Sequence, residues 1–238
     1  MSFKKVLVFC FALSTFSCAE LQQVVNTLPN GQGDGGINSA MIGNGLRQAL
    51  NFGIEKEVAR LTARDGFYKN ELVKILLPEE LRKVDKTLRD IGLSSLADEG
   101  LKVLNRAAEN AVKEGTPIFL DAVKGITFSD AKNILLGNDK AATNFLQNKT
   151  STALYAKFNP VIKNSFGKVG ADRIWEEIIT KYNSIPLVND VNPDLTDYVT
   201  NKAMEGVFKM IAIEEGRIRN NLNSRTTSLL QKVFALQD

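Results

Sequence analysis

From Ile37 onward, apolar side chains recur every three or four positions, the spacing of one face of an α-helix. Leu46, Ala49, Leu50, Gly53, Ile54, Val58 and Leu61 form the first such stripe, with Ser39 as its expected N-cap and Asp65-Gly66 as its end. A second stripe follows Pro78, which a first helical turn tolerates. It runs through Leu81, Val84, Leu88 and Ile91, with Arg82, Lys83, Lys86 and Arg89 turned outward and Gly92 closing it. Ser94 or Ser95 is placed to cap a third helix, whose inner face reads Leu101, Leu104, Ala108, Ala111 and Val112. Ser129 is the expected cap of a fourth, with Ile134 and Leu135 inward and Gly137-Asn138-Asp139 ending it and starting the next.

The spacing next predicts a helix over Thr150–Lys163, carrying Leu154, Tyr155, Phe158 and Val161, with Pro160 disturbing its last turn. Val169–Tyr182 reads as another, with Ile174, Trp175, Ile178 and Ile179 inward, followed by a loop from Pro186 to Pro193. Asp194–Arg219 is the longest expected helix, burying Leu195, Val199, Ala203, Val207, Met210 and Ile211. Thr226–Phe234 closes the chain. Val73–Leu77 and Pro186–Val188 are the only short apolar strand candidates, and neither alternates well. The expectation is all-α: a single helical domain of eight to ten helices over residues 37–238.

The first 36 residues follow other rules. Lys4 and Lys5 precede an uncharged, mainly apolar run from Val6 to Phe16, the pattern of a secretory signal and too short to span a bilayer as a helix. Residues 1–18 are therefore expected to be a signal peptide. Ser17-Cys18 places a small residue before a cysteine, as a lipoprotein leader does, and Cys18 is the expected lipidation site. Ordinary cleavage after Ala19 stays open as the alternative. Residues 19–36 include most of the glycine-rich run PNGQGDGGIN, a flexible linker that would reach about 25 Å as a random coil.

Composition narrows the chemistry. Apolar residues make up 44% of the 238 and charged residues 24%, ordinary for a soluble globular protein. Without Lys4 and Lys5, 28 basic residues face 27 acidic ones, which leaves no electrostatic footprint for nucleic acid. There is no histidine, and the only cysteines are Cys10 and Cys18. That excludes histidine-dependent triads, histidine or cysteine metal sites, and disulfides in the folded domain. No phosphate loop or dinucleotide fingerprint is present, and no cofactor is expected.

The runs GLRQALNFGIEKEV, DGFYKN, LPEELRKVDKTLRDIGL, NRAAENAV, ITFSDAKNILLGNDKAATNFL, KYNSIPLV and DYVTNKAMEGVFKMIAIEEGRIR resemble the bacterial domain of unknown function 4197. The resemblance covers Ile37 to Phe234. It implies a single exported domain behind a leader, and carries no activity or catalytic residue with it.

Six residues form a candidate polar cluster. Asp65 and Asn70 lie in the loop DGFYKN, where their oxygens could meet a hard cation; the alternative is a helix-ending turn with Gly66 at positive φ and Phe67 on the core. Glu57 and Glu214 fall beside apolar stripes, where carboxylates can have shifted pKa values, though the sequence does not place them together. Arg106 and Glu109 sit with Asn105 on a helix rich in small residues, as cleft lining, as interhelical hydrogen-bonding groups or as solvated groups. The aromatic residues Phe52, Phe119, Phe128, Phe145, Tyr155, Phe158 and Trp175 are expected in the core.

The leading functional expectation is a non-catalytic envelope binding or scaffolding protein, exported to the periplasm or outer membrane and tethered by an N-terminal lipid, with a possible envelope protein partner. A carrier of an apolar ligand between helices is one alternative. A carboxylate-based hydrolase without histidine is the other.

Overall fold

The computed structural model describes residues 39–168, 177, 180–184 and 195–236, and all of them fall in the unit Ile37–Asp238. The leader with Cys18, the 19–36 linker, most of the expected Val169–Tyr182 helix with Trp175, and the Pro186–Pro193 loop lie outside the described residues. Within them the chain is all-α. Helices α1 (Ser39–Thr62), α2 (Glu79–Asp90), α3 (Ser94–Lys124), α4 (Phe128–Leu135), α5 (Ala141–Lys168), α6 (Thr196–Asn220) and α7 (Ser228–Phe234) are joined by one 3-10 turn at Leu222–Ser224.

The three-and-four spacing locates the core. All seven residues of the first stripe are buried in α1. Leu104, Ala108, Ala111 and Val112 of α3 have no exposed surface, and the inward set of α6 is buried throughout. The α3 helix is the hub, packed by α1, α2, α5 and α6. Its small residues permit that approach: a Cβ on Gly115 would stand 2.8 Å from the Phe158 ring of α5.

Helix lengths depart from expectation for one reason. Among the described residues the longest helix is α3, with 31 residues, against 25 for Thr196–Asn220 where the longest was expected. It runs straight through Pro117, whose missing N–H leaves the Lys113 carbonyl without its usual donor; the Thr116 hydroxyl donates to that carbonyl at 3.3 Å. The residues beyond Pro117, Phe119 and Val123, are completely buried. Likewise α5 begins at Ala141, directly after the expected start at Gly137-Asn138-Asp139, and continues unbroken past Pro160 to Lys168, burying Ile162 and Phe166. Burying those apolar groups outweighs a proline's cost of about 3 kcal/mol in a helix interior.

Several local expectations are corrected. Ile91 is 59% exposed because it is already the C-cap of α2. Neither Ser94 nor Ser95 caps α3, which starts at Ser94 behind Leu93. The cap of α4 is Thr127 and not Ser129: its hydroxyl accepts from Asp130 N–H while the Asp130 carboxylate accepts from Thr127 N–H. Phe52 and Phe128 are more than 40% exposed, and Tyr155 faces outward to donate its hydroxyl to Asp197. Arg89 is not merely solvated; it bridges Asp85 and Asp98, tying α2 to α3. Val73–Leu77 forms no strand, yet it alternates: Val73, Ile75 and Leu77 are buried while Leu72 and Leu76 are half exposed.

The turn after α1 depends on Gly66. Any Cβ there would stand 2.4 Å and 2.5 Å from the carbonyl oxygens of Leu61 and Arg60, closer than non-bonded atoms approach, and both belong to backbone that cannot swing aside. Gly66→Ala is therefore expected to destabilise the domain by about 2 kcal/mol, the scale of overpacking strain. Urea unfolding followed by circular dichroism measures it, and an unchanged midpoint would contradict this account.

Candidate functional site

The loop that leaves α1 gathers four of the six candidate residues. Asp65, and not Gly66, takes the left-handed conformation, at φ 63°, while Gly66 is required for close approach. The Asp65 carboxylate pairs with Lys69 at 3.0 Å and with Arg106 of α3 at 3.5 Å. The hydrogen bond from Lys69 holds the Asp65 pKa below the usual carboxylate value. Phe67, fully buried, donates its backbone N–H to Glu109 Oε1 at 3.2 Å. Burial pushes the Glu109 carboxyl up, opposed by that N–H and by Arg106. Asn70 accepts from Leu72 N–H and turns its amide toward the Met210 sulfur of α6. Asp65, Asn70, Arg106 and Glu109 thus act as a turn clamped to α3 and α6. Among the described residues no group of three or more carboxylates is placed to hold a metal ion.

Glu57 and Glu214 do come together, because α1 and α6 pack side by side, with Gly53 facing Glu214. Glu214 accepts from Lys56 at 2.6 Å and from Arg217 at 3.3 Å. Glu57 has no exposed surface, and neither of its carboxylate oxygens has a hydrogen-bond partner; the nearest cation is Arg60 at 3.9 Å. Burial raises its pKa first, the negative Glu214 second, and Arg60, Lys56 and Arg217 only partly offset this. Such a pair can hold a proton, but acid–base chemistry also requires a substrate within hydrogen-bond reach. The half-open cavity beside Glu214, lined by α1 and α6 with Ala142 and Phe234, measures about 20 Å³, room for one water.

Other buried polar groups join helices. Glu215 accepts from Ala142 N–H, Thr143 N–H and the Thr143 hydroxyl at 2.8–2.9 Å, which caps the start of α5. Arg219, paired with Glu215, donates to the Ile134 and Leu135 carbonyls at the end of α4. Arg225 donates to the Ile218 and Arg219 carbonyls at the end of α6. Sequence reasoning missed these three. A signal existed for the first two: Glu215 and Arg219 fall on the same helical face as Ile211 and Ile218, where a charged pair is out of place. The Asn105 carboxamide is neither solvated nor bonded to another helix: it holds the non-helical segment before α2. It accepts from Ile75 N–H at 2.8 Å and donates to the Ile75 carbonyl at 2.9 Å.

One concave surface is open and charged. A cleft of about 270 Å³ lies between the Leu72–Leu76 segment and the first half of α6. Lys74, Arg82, Lys202 and Lys209 line it against one carboxylate, Glu205, which is bound to Lys202 at 2.7 Å. Tyr198 and Lys209 reach across it to donate to the Leu76 and Leu72 carbonyls, each at 2.8 Å. The cleft is at the end of α1 opposite Ser39, about 35 Å along the helix at 1.5 Å per residue.

A family model described as "Protein of unknown function (DUF4197)" matches residues 36–235. No curated protein and no solved structure matches the chain.

Glu57 sets a pH dependence. Its pKa is raised in the folded state, so the folded chain binds the proton more tightly than the unfolded one. The resulting stabilisation is full below the unfolded carboxylate range and is lost as pH rises through the raised pKa. At neutral pH, where the unfolded carboxyl is ionised, burying this group is a net cost. Glu57→Gln is expected to raise stability by about 1 kcal/mol at pH 7 and by nothing measurable at about pH 4. Urea unfolding at both pH values checks this; a variant less stable at pH 7 would contradict the assignment.

Proposed function

Because the chain belongs to the DUF4197 family, which brings no assigned activity, we propose its role from the site: a non-catalytic binding module, exported, held at a membrane through Cys18, that offers the α6 cleft to an envelope protein. One contrast carries this reading. Glu109, Asn105, Glu215, Arg219 and Arg225, the buried polar groups, are committed to holding one element against another, whereas the cleft keeps four cationic side chains on an open surface. Interior chemistry of this kind builds a rigid support, and surface chemistry of this kind recognises a partner. The tether belongs to the same proposal: lipidated at Cys18, the module would be kept at a membrane surface. A lipid with two or more chains gives stable anchoring, where one chain is marginal.

Native mass spectrometry of the full chain purified from the bacterial envelope tests both halves. The expected spectrum shows a lipidated N-terminus at Cys18 and a discrete complex with a protein. A small apolar adduct in place of a protein would turn the reading toward a carrier. Cys18→Ser is expected to move the domain into the soluble envelope fraction with its helical circular dichroism unchanged. An unmodified N-terminus at Glu20 in the parent would remove the anchor from the proposal.

A further inference from the structure

The cleft has a backbone edge as well as charge. Leu72 and Val73 close a turn on the Asn70 carbonyl, and from Lys74 to Leu77 the in-and-out burial is that of an extended chain. In such a chain, the polar groups of successive residues point to opposite edges. The Ile75 N–H and carbonyl face α3, where the Asn105 carboxamide takes both, much as a neighbouring strand would. The Leu72 and Lys74 N–H groups turn back to Asn70, so what is left for the other edge is the carbonyls of residues 72, 74 and 76 and the Leu76 N–H. The Leu72 carbonyl is met by Lys209 and the Leu76 carbonyl by Tyr198. Between them, the Lys74 carbonyl and the Leu76 N–H make no hydrogen bond within the described chain. An acceptor on one residue and a donor two residues later are the pair that a single residue of a parallel strand engages in a ladder.

We propose that this edge binds an extended, acidic peptide segment of the partner, added as a short parallel strand beside Lys74–Leu76. Backbone pairing at the Lys74 carbonyl and Leu76 N–H fixes the register, in the manner of strand addition to an open edge. Charge selects the sequence: Lys74, Arg82, Lys202 and Lys209 surround the edge and Glu205 answers only one of them. Arg82 is exposed and makes no ion pair with a described residue, so its charge is available. The half-exposed Leu72 and Leu76 supply apolar contact on either side of Lys74. The inference rests on the binding-module reading and specifies what the module binds.

The test is selection of random decapeptides on the immobilised full chain, followed by synthesis of the retained sequences. The retained peptides are expected to be rich in Asp and Glu. They should weaken about tenfold in fluorescence anisotropy against Lys209→Glu and against Arg82→Glu, the scale of 1.4 kcal/mol at a charge-complementary site. They should also slow hydrogen exchange at the Leu76 amide. Arg82→Glu guards against misfolding as the cause, since that side chain holds nothing in place. Retained peptides without acidic enrichment, affinities unmoved by both substitutions, or an unprotected Leu76 amide would each overturn the assignment. So would binding of phosphatidylglycerol vesicles with no peptide retained. A protein complex in the native mass spectrum that survives both substitutions would cancel this site and leave the binding-module reading standing; absence of any complex would remove that reading itself.

Discussion

The buried ion pair Glu215–Arg219 is the interaction on which the arrangement of helices depends. One turn apart on α6, these two side chains hold opposite ends of two other helices. The carboxylate sits at the first turn of α5, where N–H groups have no intrahelical acceptor, and the guanidinium sits at the last turn of α4, where carbonyls have no donor. Each charge meets the helix end of opposite partial charge. Burying two ions this deeply would cost several kcal/mol per ion without such partners. Here the pairing, the caps and the Thr143 hydroxyl satisfy both groups, so the α4–α5 corner can close only in one position against α6. Arg225 repeats the device at the end of α6 itself and directs the chain into α7.

Glu57 shows the opposite case. It is as deeply buried, on the helix packed beside α6, but no donor reaches its oxygens. Its neighbour Glu214 has taken Lys56 and Arg217, leaving only the distant Arg60. What separates Glu57 from the Glu215–Arg219 staple is therefore the supply of donors, not the depth of burial. Two carboxylates side by side suggest acid–base chemistry, but here the space beside them admits about one water.

The same accounting explains why the segment after the first turn is neither helix nor strand. Phe67 and Ile75 are each held to α3 by one side chain, Glu109 and Asn105, in place of a neighbouring backbone. This arrangement satisfies one edge of the segment and leaves the other facing α6. A cleft arises because a single extended segment has two edges and α3 covers one.

Much of this was legible in the chain itself. A buried helical face must repeat every three or four residues, so Leu46 to Leu61, Leu81 to Leu88 and Leu195 to Ile211 identified both the all-α class and the core. Gly66, Gly92 and the Thr127–Asp130 region marked helix ends, because those positions answer to local backbone sterics and caps, even where the capping residue was misplaced. The candidate polar residues were found singly: Asp65, Asn70, Arg106 and Glu109 were visible as polar groups, but their convergence on one turn was not. Helix continuation through Pro117 and Pro160, the meeting of Glu57 with Glu214, and the capping of α4 and α5 from α6 were decided only by tertiary structure. Each depends on groups far apart in sequence: apolar burial that outweighs a local proline penalty, or a donor and acceptor 72 to 85 positions apart. Local patterning carries the energy of a residue with its own turn of helix; it carries none of the energy of a partner that folding alone brings near.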